Sequence, residues 1–467
     1  MEVNKILIGL TLPAILLLTL NCRAQNNISL KIDEYINNEM RSQKIPGVAV
    51  AVIRDGRIVL AKGYGLSNVE HQIPVKPETV FQSGSLGKAF TVTAVMMLVA
   101  DGKISLNDNL KKYFADAPKE WDNITIQHLL EHTSGMTGYP EQFDFRIDRS
   151  EEDLYNSIKS IPLAFKFGEK RGYSNLGFVL LGILIKKVTG RFYGDFLNER
   201  IFQPLNMTTA RVISEADIIS NRASGYRLVN DQLKNQEWVA PSLNTTADGA
   251  LYLSILDVAK WEAALNSQKL LTEKSYKAMW TNLITNDGLQ QPYGFSWQIE
   301  RINGKLIIEH SGGWQGFNAN FSRYPAQKLA VIVFTNLRGV NPINLTRGIQ
   351  EIYQPELSIV GAIPIPDKEP RITEFVKDLV QKISTKGLTA DLFVPPGGDE
   401  ILPNAHHAAE EFGSYGELKK IELVDRQENS NGSRIFHYRL GYERKAVIFS
   451  VGLTPNGKIN SVALRRF

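Results

Sequence analysis

A serine and a lysine three residues apart form the pair in this chain that is best suited to nucleophilic chemistry. Ser85 and Lys88 stand just before an uncharged apolar run that reaches Leu98. Residues at i and i+3 share a helix face, so the hydroxyl and the ammonium can meet. A serine hydroxyl needs a nearby base, and burial can lower the pKa of lysine until it serves as one. The spacing predicts a nucleophile at the start of a buried helix; the alternative is a serine N-cap beside a solvated lysine.

A phenol and an amide form a second candidate pair. Tyr173-Ser174-Asn175 precedes an apolar helix predicted over Leu176 to Val188, which Gly190 ends. A Tyr-x-Asn triplet also occurs at Tyr35-Ile36-Asn37, where we interpret the tyrosine as core packing. The triplet is therefore not specific by itself, but its place before a buried helix favours a functional loop edge at Tyr173.

A histidine pair gives a competing hypothesis. His128, Glu131 and His132 match an inverted zinc-protease pattern, in which two histidines at i and i+4 share one helix face. A third ligand is not evident downstream. In the alternative, Leu129 and Leu130 pack inward while the histidines hydrogen-bond the following turn. We favour the packing interpretation, predict no metal, and keep a zinc peptidase as the less favoured function.

Length and charge restrict the function classes. A chain of 467 residues predicts two or three domains. Its net charge of +4 is small for this length, and no basic stripe interleaves with aromatic residues. This composition argues against a nucleic-acid-binding role.

The N-terminus reads as a secretory signal. Lys5 precedes a short apolar core from Ile6 to Leu20, and small residues allow cleavage before Gln25. The apolar core is too short for a comfortable membrane span, although an anchor helix and lipidation at Cys22 are alternatives. Cys22 is the only cysteine, so cleavage would leave no disulfide and no thiolate nucleophile. We expect residues 1–24 to direct export to a bacterial periplasm or the medium.

Hydrophobic periodicity predicts a sheet built from both ends of the main domain. A helix over residues 29–44 precedes a β-hairpin of Val48 to Ile53 and Arg57 to Lys62, which Gly63-Tyr64-Gly65 ends. Three further strands are predicted at Lys305 to Glu309, Phe317 to Tyr324 and Leu329 to Phe334. The hairpin and these strands can complete one antiparallel sheet.

A linker separates a second domain. Three prolines between Ile363 and Pro370 predict a linker over residues 361–370. We place the main domain at 25–360 and a small α+β domain at 371–467, with a helix over Ile372 to Ile383. Its predicted strands are Lys420 to Val424, Arg434 to Tyr442, Lys445 to Leu453 and Lys458 to Leu464. No catalytic constellation is evident in this second domain.

Three motifs in order make the chain resemble the serine β-lactamase and penicillin-binding hydrolase superfamily. They are Ser85-Leu86-Gly87-Lys88, Tyr173-Ser174-Asn175 and His310-Ser311-Gly312. The resemblance covers about residues 30–355 and is greatest to the branch of class C β-lactamases, DD-peptidases, D-aminopeptidases and related esterases. It implies an α+β fold with an antiparallel sheet flanked by helices, an added helical lobe, and no cofactor.

The resemblance also implies the roles of the site residues. Ser85 would be the acylated nucleophile, with Lys88 and Tyr173 as proton carriers; which of the two is the base stays open. Asn175 would bond Lys88 and the substrate, and the neighbouring ammonium would lower the pKa of the phenol. The oxyanion would lie on the backbone N–H groups of Ser85 and Gly313.

The third motif departs from the β-lactamase pattern. His310 stands where many relatives have a lysine for the substrate carboxylate, and histidine is mostly neutral near pH 7. With Gly312 and Gly313 it would contact substrate, and it favours esters, or amides without that carboxylate. The Pro-Gly usual before Tyr-x-Asn is Phe167-Gly168 here, so this loop is expected to differ.

We therefore predict an exported serine hydrolase. It would act through an acyl-enzyme on a small-molecule or peptidoglycan-derived ester or amide, D-amino-acid peptides and β-lactams included. The alternative is a non-catalytic penicillin or peptidoglycan sensor. The sequence leaves the oligomeric state open.

Overall fold

The computed structural model describes residues 11–212, 217–249, 251–359, 361–394, 409, 412–428 and 432–466, with side chains from residue 27 to residue 464. The helices in these ranges are α1 (Thr11–Gln43), α2 (Lys88–Ala100), α3 (Ile126–Leu130), α4 (Glu151–Lys159), α5 (Asn175–Thr189), α6 (Tyr193–Leu197), α7 (Ile255–Asn266), α8 (Glu273–Met279), α9 (Pro342–Tyr353) and α10 (Pro370–Ser384).

The strands form two large antiparallel sheets and two small two-stranded pairs, β4 with β7 and β5 with β6. Seven strands pair in the order β3-β2-β1-β11-β10-β9-β8, and four in the order β12-β13-β14-β15. The strands are β1 (Gly47–Arg54), β2 (Arg57–Asn68), β3 (Ile73–Pro74), β4 (Phe81–Gln82), β5 (Tyr226–Val229), β6 (Gln232–Asn235), β7 (Tyr252–Leu253), β8 (Gln298–Ile302), β9 (Lys305–Trp314), β10 (Phe317–Tyr324), β11 (Leu329–Thr335), β12 (Leu418–Glu428), β13 (Arg434–Tyr442), β14 (Ala446–Leu453) and β15 (Ile459–Arg466).

The large sheet joins both ends of the main domain, as the sequence predicts. β1 pairs antiparallel with β2 on one side and β11 on the other, with Val50 opposite Val333. Its side chains alternate between two cores. Val48, Val50 and Val52 face the core that includes α1 and α9, while Ala49 and Ala51 face the larger core around α2 and α5.

The strand β2 is longer than predicted. Its glycines do not end it but allow another segment of the chain to pack closely against it. Gly63 and Gly65 stay paired with β1 instead of ending β2, which reaches Asn68. A Cβ atom on Gly63 would lie 2.1 Å from the carbonyl oxygen of Val75. The absence of side chains at these positions therefore lets the segment at Val75 cross the strand at close range, and the strand continues.

β9 is also longer than predicted. The sequence places its end at Glu309, but the strand continues to Trp314. His310 lies opposite Phe321 and Gly313 opposite Asn318 on β10. The third motif is thus held by strand pairing, which fixes its backbone more firmly than a loop would.

The helix after Ser85 is buried on all sides, as its composition predicts. Every residue from Lys88 to Leu98 is buried. A short 3-10 turn, Gly84–Gly87, precedes the helix and carries the serine. The nucleophile candidate is therefore fixed to the largest core of the molecule.

A second layered unit follows the proline-rich segment. α10 buries Val376, Leu379 and Val380 in a core shared with the four-stranded sheet. The helix begins at Pro370, the last residue of the predicted linker. This sheet confirms the small α+β unit at the C-terminus, while its bounds as a domain stay a prediction.

The predicted signal segment is only partly described. Residues 1–10 lie outside the described residues, and the helix α1 runs from Thr11 through the predicted cleavage point. Among the described residues, no helix is both long enough and apolar enough to cross a membrane. Export stays a prediction.

Candidate active site

The turn that carries Ser85 is clamped by backbone on two sides. A Cβ atom on Gly312 would lie 1.9 Å from the carbonyl oxygen of Ser83. One on Gly249 would lie 2.7 Å from the carbonyl group of Gly84. Only glycine permits these approaches, so β9 and the segment before β7 hold the serine turn between them.

The same packing brings the two predicted oxyanion donors to one place. Gly84 has a φ of +52°, and a Cβ atom there would lie 2.6 Å from the backbone nitrogen of Gly313. Ser85 follows Gly84 directly and is half-buried. The nucleophile turn and β9 are therefore in backbone contact at this point.

Lys88 lies beneath the serine and is completely buried. Its Nζ atom is 3.2 Å from Ser85 Oγ and 2.8 Å from Asn175 Oδ1, and it also contacts the backbone oxygen of Asp248. Burial lowers the pKa of Lys88 to about 8, although the Asp248 carboxylate opposes this change. A solvated N-cap lysine, the alternative from the sequence, is wrong.

The three contacts of Lys88 define where its lone pair can point. A neutral amine has two N–H groups and one lone pair. The Asn175 oxygen and the Asp248 carbonyl can only accept hydrogen bonds, so they take the two N–H groups. Ser85 is the one partner with a proton to donate, and the lone pair is left to receive it.

Tyr173 stands on the other side of the serine. Its hydroxyl hydrogen-bonds Ser85, and its ring centroid is 4.9 Å from Lys88 Nζ. The residue is 41% exposed, so part of the ring faces the cavity. The surroundings of the hydroxyl are nevertheless buried, and this burial raises the pKa of Tyr173 far above that of a free phenol, against the weaker effect of the Ser85 hydrogen bond. The expected lowering by a neighbouring ammonium is therefore wrong.

Asn175 lies where the sequence predicts. It is the first residue of α5, whose N-cap Ser174 accepts a hydrogen bond from the Gly177 N–H. This cap fixes the helix start and directs the Asn175 amide oxygen to Lys88. The backbone N–H of Ser174 is in turn bound by His132 Nδ1 at 3.0 Å.

The histidine pair does not share a helix face. α3 ends at Leu130, and His132 follows it with a positive φ of 59°. His128 Nδ1 accepts the N–H of Thr125, so the Nδ1 atoms of both histidines are already engaged. Leu129 and Leu130 are buried, as the packing interpretation requires. Its other half is wrong, because the Nδ1 atoms bond Thr125 and Ser174 instead of the turn after the helix. His132 therefore positions the Tyr173 loop, and the geometry assumed for a zinc motif is wrong.

His310 is buried and neutral. Nδ1 bonds the Ser311 carbonyl oxygen, a pure acceptor, so the proton lies on Nδ1. Nε2, 3.0 Å from Ser296 Oγ, then accepts from that hydroxyl. Burial and the charge of Lys88 lower the pKa of His310 to about 3. The prediction that this position carries no positive charge at neutral pH is supported.

These residues surround one cavity of about 340 Å³. It is lined by Ser85, Arg171, Tyr173, Tyr293, Gln298, Glu309, His310, Ser311, Gly312 and Gly313. Lys88 and Asn175 lie behind the serine. The structure thus brings all seven predicted site residues together.

Two neighbours of the site were given no role from the sequence. Asp248 supplies the backbone oxygen for Lys88, while its carboxylate accepts hydrogen bonds from Thr246 and Tyr139. Its only signal in the sequence is an Asp-Gly pair, which reads as a turn. Arg171 lines the cavity beside Tyr293 and precedes Tyr173 by two residues, a spacing with no motif of its own.

Comparison with known proteins agrees with this geometry. The family model described as Beta-lactamase matches residues 32–353. Unguisins hydrolase ungD' from Aspergillus campestris is 30% identical over 374 residues, which span 75% of this chain and 68% of that protein. Penicillin-binding protein 4* from Bacillus subtilis is 27% identical over 305 residues, spanning 62% of this chain and 67% of that protein. The chain spans about two thirds of the length of these relatives.

Solved structures share the fold. The octameric penicillin-binding protein homologue from Pyrococcus abyssi superposes with a TM-score of 0.63 at 23% identity, over 94% of this chain and 96% of that chain. The D-amino acid amidase from Ochrobactrum anthropi superposes with a TM-score of 0.60 at 21% identity, over 71% and 97% of the two chains. The first likeness extends over the C-terminal sheet as well.

Proposed function

The chain belongs to the β-lactamase family, and on that basis we propose that it is a serine hydrolase that forms an acyl-enzyme on Ser85. One observation carries the proposal. The Lys88 amine lies 3.2 Å from the Ser85 hydroxyl with a pKa lowered to about 8, and its two N–H groups are taken by acceptors. The amine is therefore prepared to accept the serine proton.

Acylation follows from the positions of the three groups. Ser85 Oγ bonds the carbonyl carbon of an ester or amide while its proton passes to Lys88 Nζ. The oxyanion forms between the Ser85 and Gly313 N–H groups. Tyr173, whose raised pKa keeps its hydroxyl protonated, gives its proton to the departing oxygen or nitrogen, and Lys88, which holds the proton taken from Ser85, reprotonates the phenolate. This assigns Lys88 as the base and Tyr173 as the acid.

Deacylation reverses these transfers with water. Lys88, neutral again, takes a proton from the attacking water through Tyr173, and the Ser85–acyl bond breaks. Serine regains its proton and the carboxylic acid product leaves. The substrates that we propose are small esters, D-amino-acid amides and peptides, and β-lactams; the names of a hydrolase, an amidase and penicillin-binding proteins among the similar proteins support this choice.

The test uses Ser85→Ala against a panel of p-nitrophenyl esters, β-lactams and D-amino-acid amides. We expect wild type to hydrolyse at least one class and Ser85→Ala to lose about 10³-fold or more in kcat/KM. A fluorophosphonate should label wild type and not the variant. Ser267→Ala, an exposed serine after α7, is the matched control and should keep activity and labelling. Undiminished hydrolysis by Ser85→Ala would refute the proposal.

The names of the penicillin-binding relatives support a second candidate, a penicillin or peptidoglycan sensor. A sensor would be acylated at Ser85 by a fluorescent penicillin and would not release the product. Slow or absent deacylation together with no turnover of any ester or amide would favour this role over that of a hydrolase.

We also propose that residues 1–24 direct export, so that the protein works in the periplasm or outside the cell. Cleavage before Gln25 and lipidation at Cys22 predict different N-termini. Mass spectrometry of the protein from a bacterial host distinguishes a free Gln25 terminus from a lipidated Cys22 terminus, and an intact Met1 in the cytosolic fraction would refute export.

A further inference from the structure

The cavity beside Ser85 carries one unbalanced positive charge at its rim. Among its lining residues, all within the described part of the chain, Arg171 is the only cation at neutral pH. His310 is neutral because its pKa lies near 3. The one anion, Glu309, is bound to Arg347 Nη2 at 2.6 Å. An entering anion would therefore meet a charge that no carboxylate of the cavity cancels.

The side chain of Arg171 is exposed and held in place by stacking. The centre of its guanidinium lies 4.5 Å from the ring centroid of Tyr293, which is buried. No hydrogen bond or ion pair of the guanidinium exists to any residue that the structure describes. A stacked guanidinium keeps its N–H groups free in its own plane, which is the geometry that binds a carboxylate with two parallel hydrogen bonds.

The charge acts on the side of the site where the leaving group is released. The charge of Arg171 offsets a small part of the rise that burial causes in the pKa of Tyr173, so its field reaches the phenol that we assign as the acid. Lys170, one residue earlier, stacks over Phe165 and does not line the cavity. The two neighbouring cations of this loop therefore differ in whether they face the site.

We propose that Arg171 binds an anionic group carried by the leaving-group side of the substrate, and that it sets a preference for carboxylate-bearing leaving groups. The inference rests on the proposed serine hydrolase function. It replaces the expectation that the loss of the third-motif lysine favours substrates without a carboxylate. The positive charge is present in this site, supplied from the Tyr173 loop in place of β9.

The test compares two aryl acetates: 4-acetoxybenzoate, whose leaving group carries a carboxylate, and its methyl ester, whose leaving group carries none. We expect Arg171→Gln to lower the kcat/KM of the anionic ester by about tenfold or more, because a hydrogen-bonded ion pair is lost. The kcat/KM of the methyl ester should change by less than about threefold. In wild type, the preference for the anionic ester should weaken between about 0.01 M and 0.5 M salt.

Two further variants separate charge from packing. Lys170→Gln removes the same charge from the neighbouring position and should leave both esters within about twofold of wild type. Arg171→Lys keeps a charge and should retain more of the preference than Arg171→Gln. An equal loss on both esters, or equal losses in Arg171→Lys and Arg171→Gln, would show that Arg171 only packs on Tyr293 and would overturn the proposal.

The same two esters distinguish failure of the serine hydrolase assignment from failure of the Arg171 proposal alone. If Ser85→Ala hydrolysed both esters as fast as wild type, the serine hydrolase assignment would fall, and the Arg171 proposal with it. If Ser85→Ala were inactive while Arg171→Gln kept the wild-type ratio of the two esters, the assignment would stand and only the Arg171 proposal would fail.

Discussion

Lys88 and Arg347 are both buried cations of the main domain, and the partners available to them differ. Lys88 contacts a hydroxyl, an amide oxygen and a backbone carbonyl, but no carboxylate. Arg347 on α9 donates to Glu309 at 2.6 Å. Burial lowers the pKa of Lys88 to about 8. For Arg347 burial is also the largest effect, but the attraction of Glu309, Tyr324 and Glu300 together outweighs it and the pKa is raised.

The contrast teaches that burial alone does not make a cation reactive. A buried charge with a matched counter-charge stays charged and fastens one element to another, here α9 to β9. A buried charge without one moves toward its neutral form. Asp248 is close enough to raise the pKa of Lys88, but its carboxylate is engaged by Thr246 and Tyr139. The site thus holds Lys88 as a base by keeping the nearest carboxylate away.

The largest test of this contrast is Lys88→Met. Removing the base should lower kcat/KM for an activated ester by about 10³-fold or more, equivalent to about 4 kcal/mol. The free energy of unfolding should fall less than in Arg347→Met, since no counter-ion is left unpaired. Lys103→Met, an exposed lysine just after α2, is the control for both measurements and should resemble wild type. If Lys88→Met kept its activity, Lys88 would not be the base, and the difference in role between Lys88 and Arg347 would not hold.

For Arg347, which is paired with Glu309, we expect substitution to reduce stability more than it does at Lys88. Arg347→Met leaves the Glu309 carboxylate buried without its partner and should cost about 3 kcal/mol in the free energy of unfolding. The double variant Glu309→Met with Arg347→Met removes both charges and should recover more than half of that loss. Urea unfolding monitored by tryptophan fluorescence measures both. A double variant as unstable as the single one would show that the pair acts through packing alone.

The smallest expected effect concerns the pH profile. Because Lys88 must be neutral to accept the serine proton, kcat/KM should rise with pH through about 8. Asp248→Asn removes the attraction that raises this pKa, so the rise should move to lower pH by less than about one unit. The backbone oxygen that binds Lys88 is unchanged in this variant. A shift to higher pH, or a wild-type rise centred on the usual lysine value of 10.5, would contradict the assignment.

The same shift links stability to pH. Between about 8 and 10.5 the unfolded chain keeps a proton on Lys88 that the folded protein has released. The free energy of unfolding therefore gains a contribution that increases with pH across this window. Lys88→Met should remove that part of the pH dependence, which chemical denaturation at several pH values would detect.

Much of the fold was predictable because it rests on local patterns. The uncharged run after Lys88 predicts a helix buried on all sides, and α2 is one. The apolar β-branched run before the Asp55-Gly56 turn predicts the hairpin of β1 and β2. The predicted ends of two strands are wrong at glycines that pack against segments distant in the sequence. Gly63 and Gly65 admit a crossing chain instead of ending β2, and Gly312 and Gly313 extend β9 toward the serine turn.

The sequence by itself determined which groups the site contains. A three-residue spacing sets Ser85 beside Lys88, and Tyr173-Ser174-Asn175 sets a phenol and an amide on one loop, because helix geometry and capping are local. Only the tertiary structure decided what those groups can do. The low pKa of Lys88, the raised pKa of Tyr173 and the neutrality of His310 come from burial and from charges distant in the chain. The place of Arg171 at the cavity rim has the same origin, since desolvation and through-space charge depend on which segments meet when the chain folds.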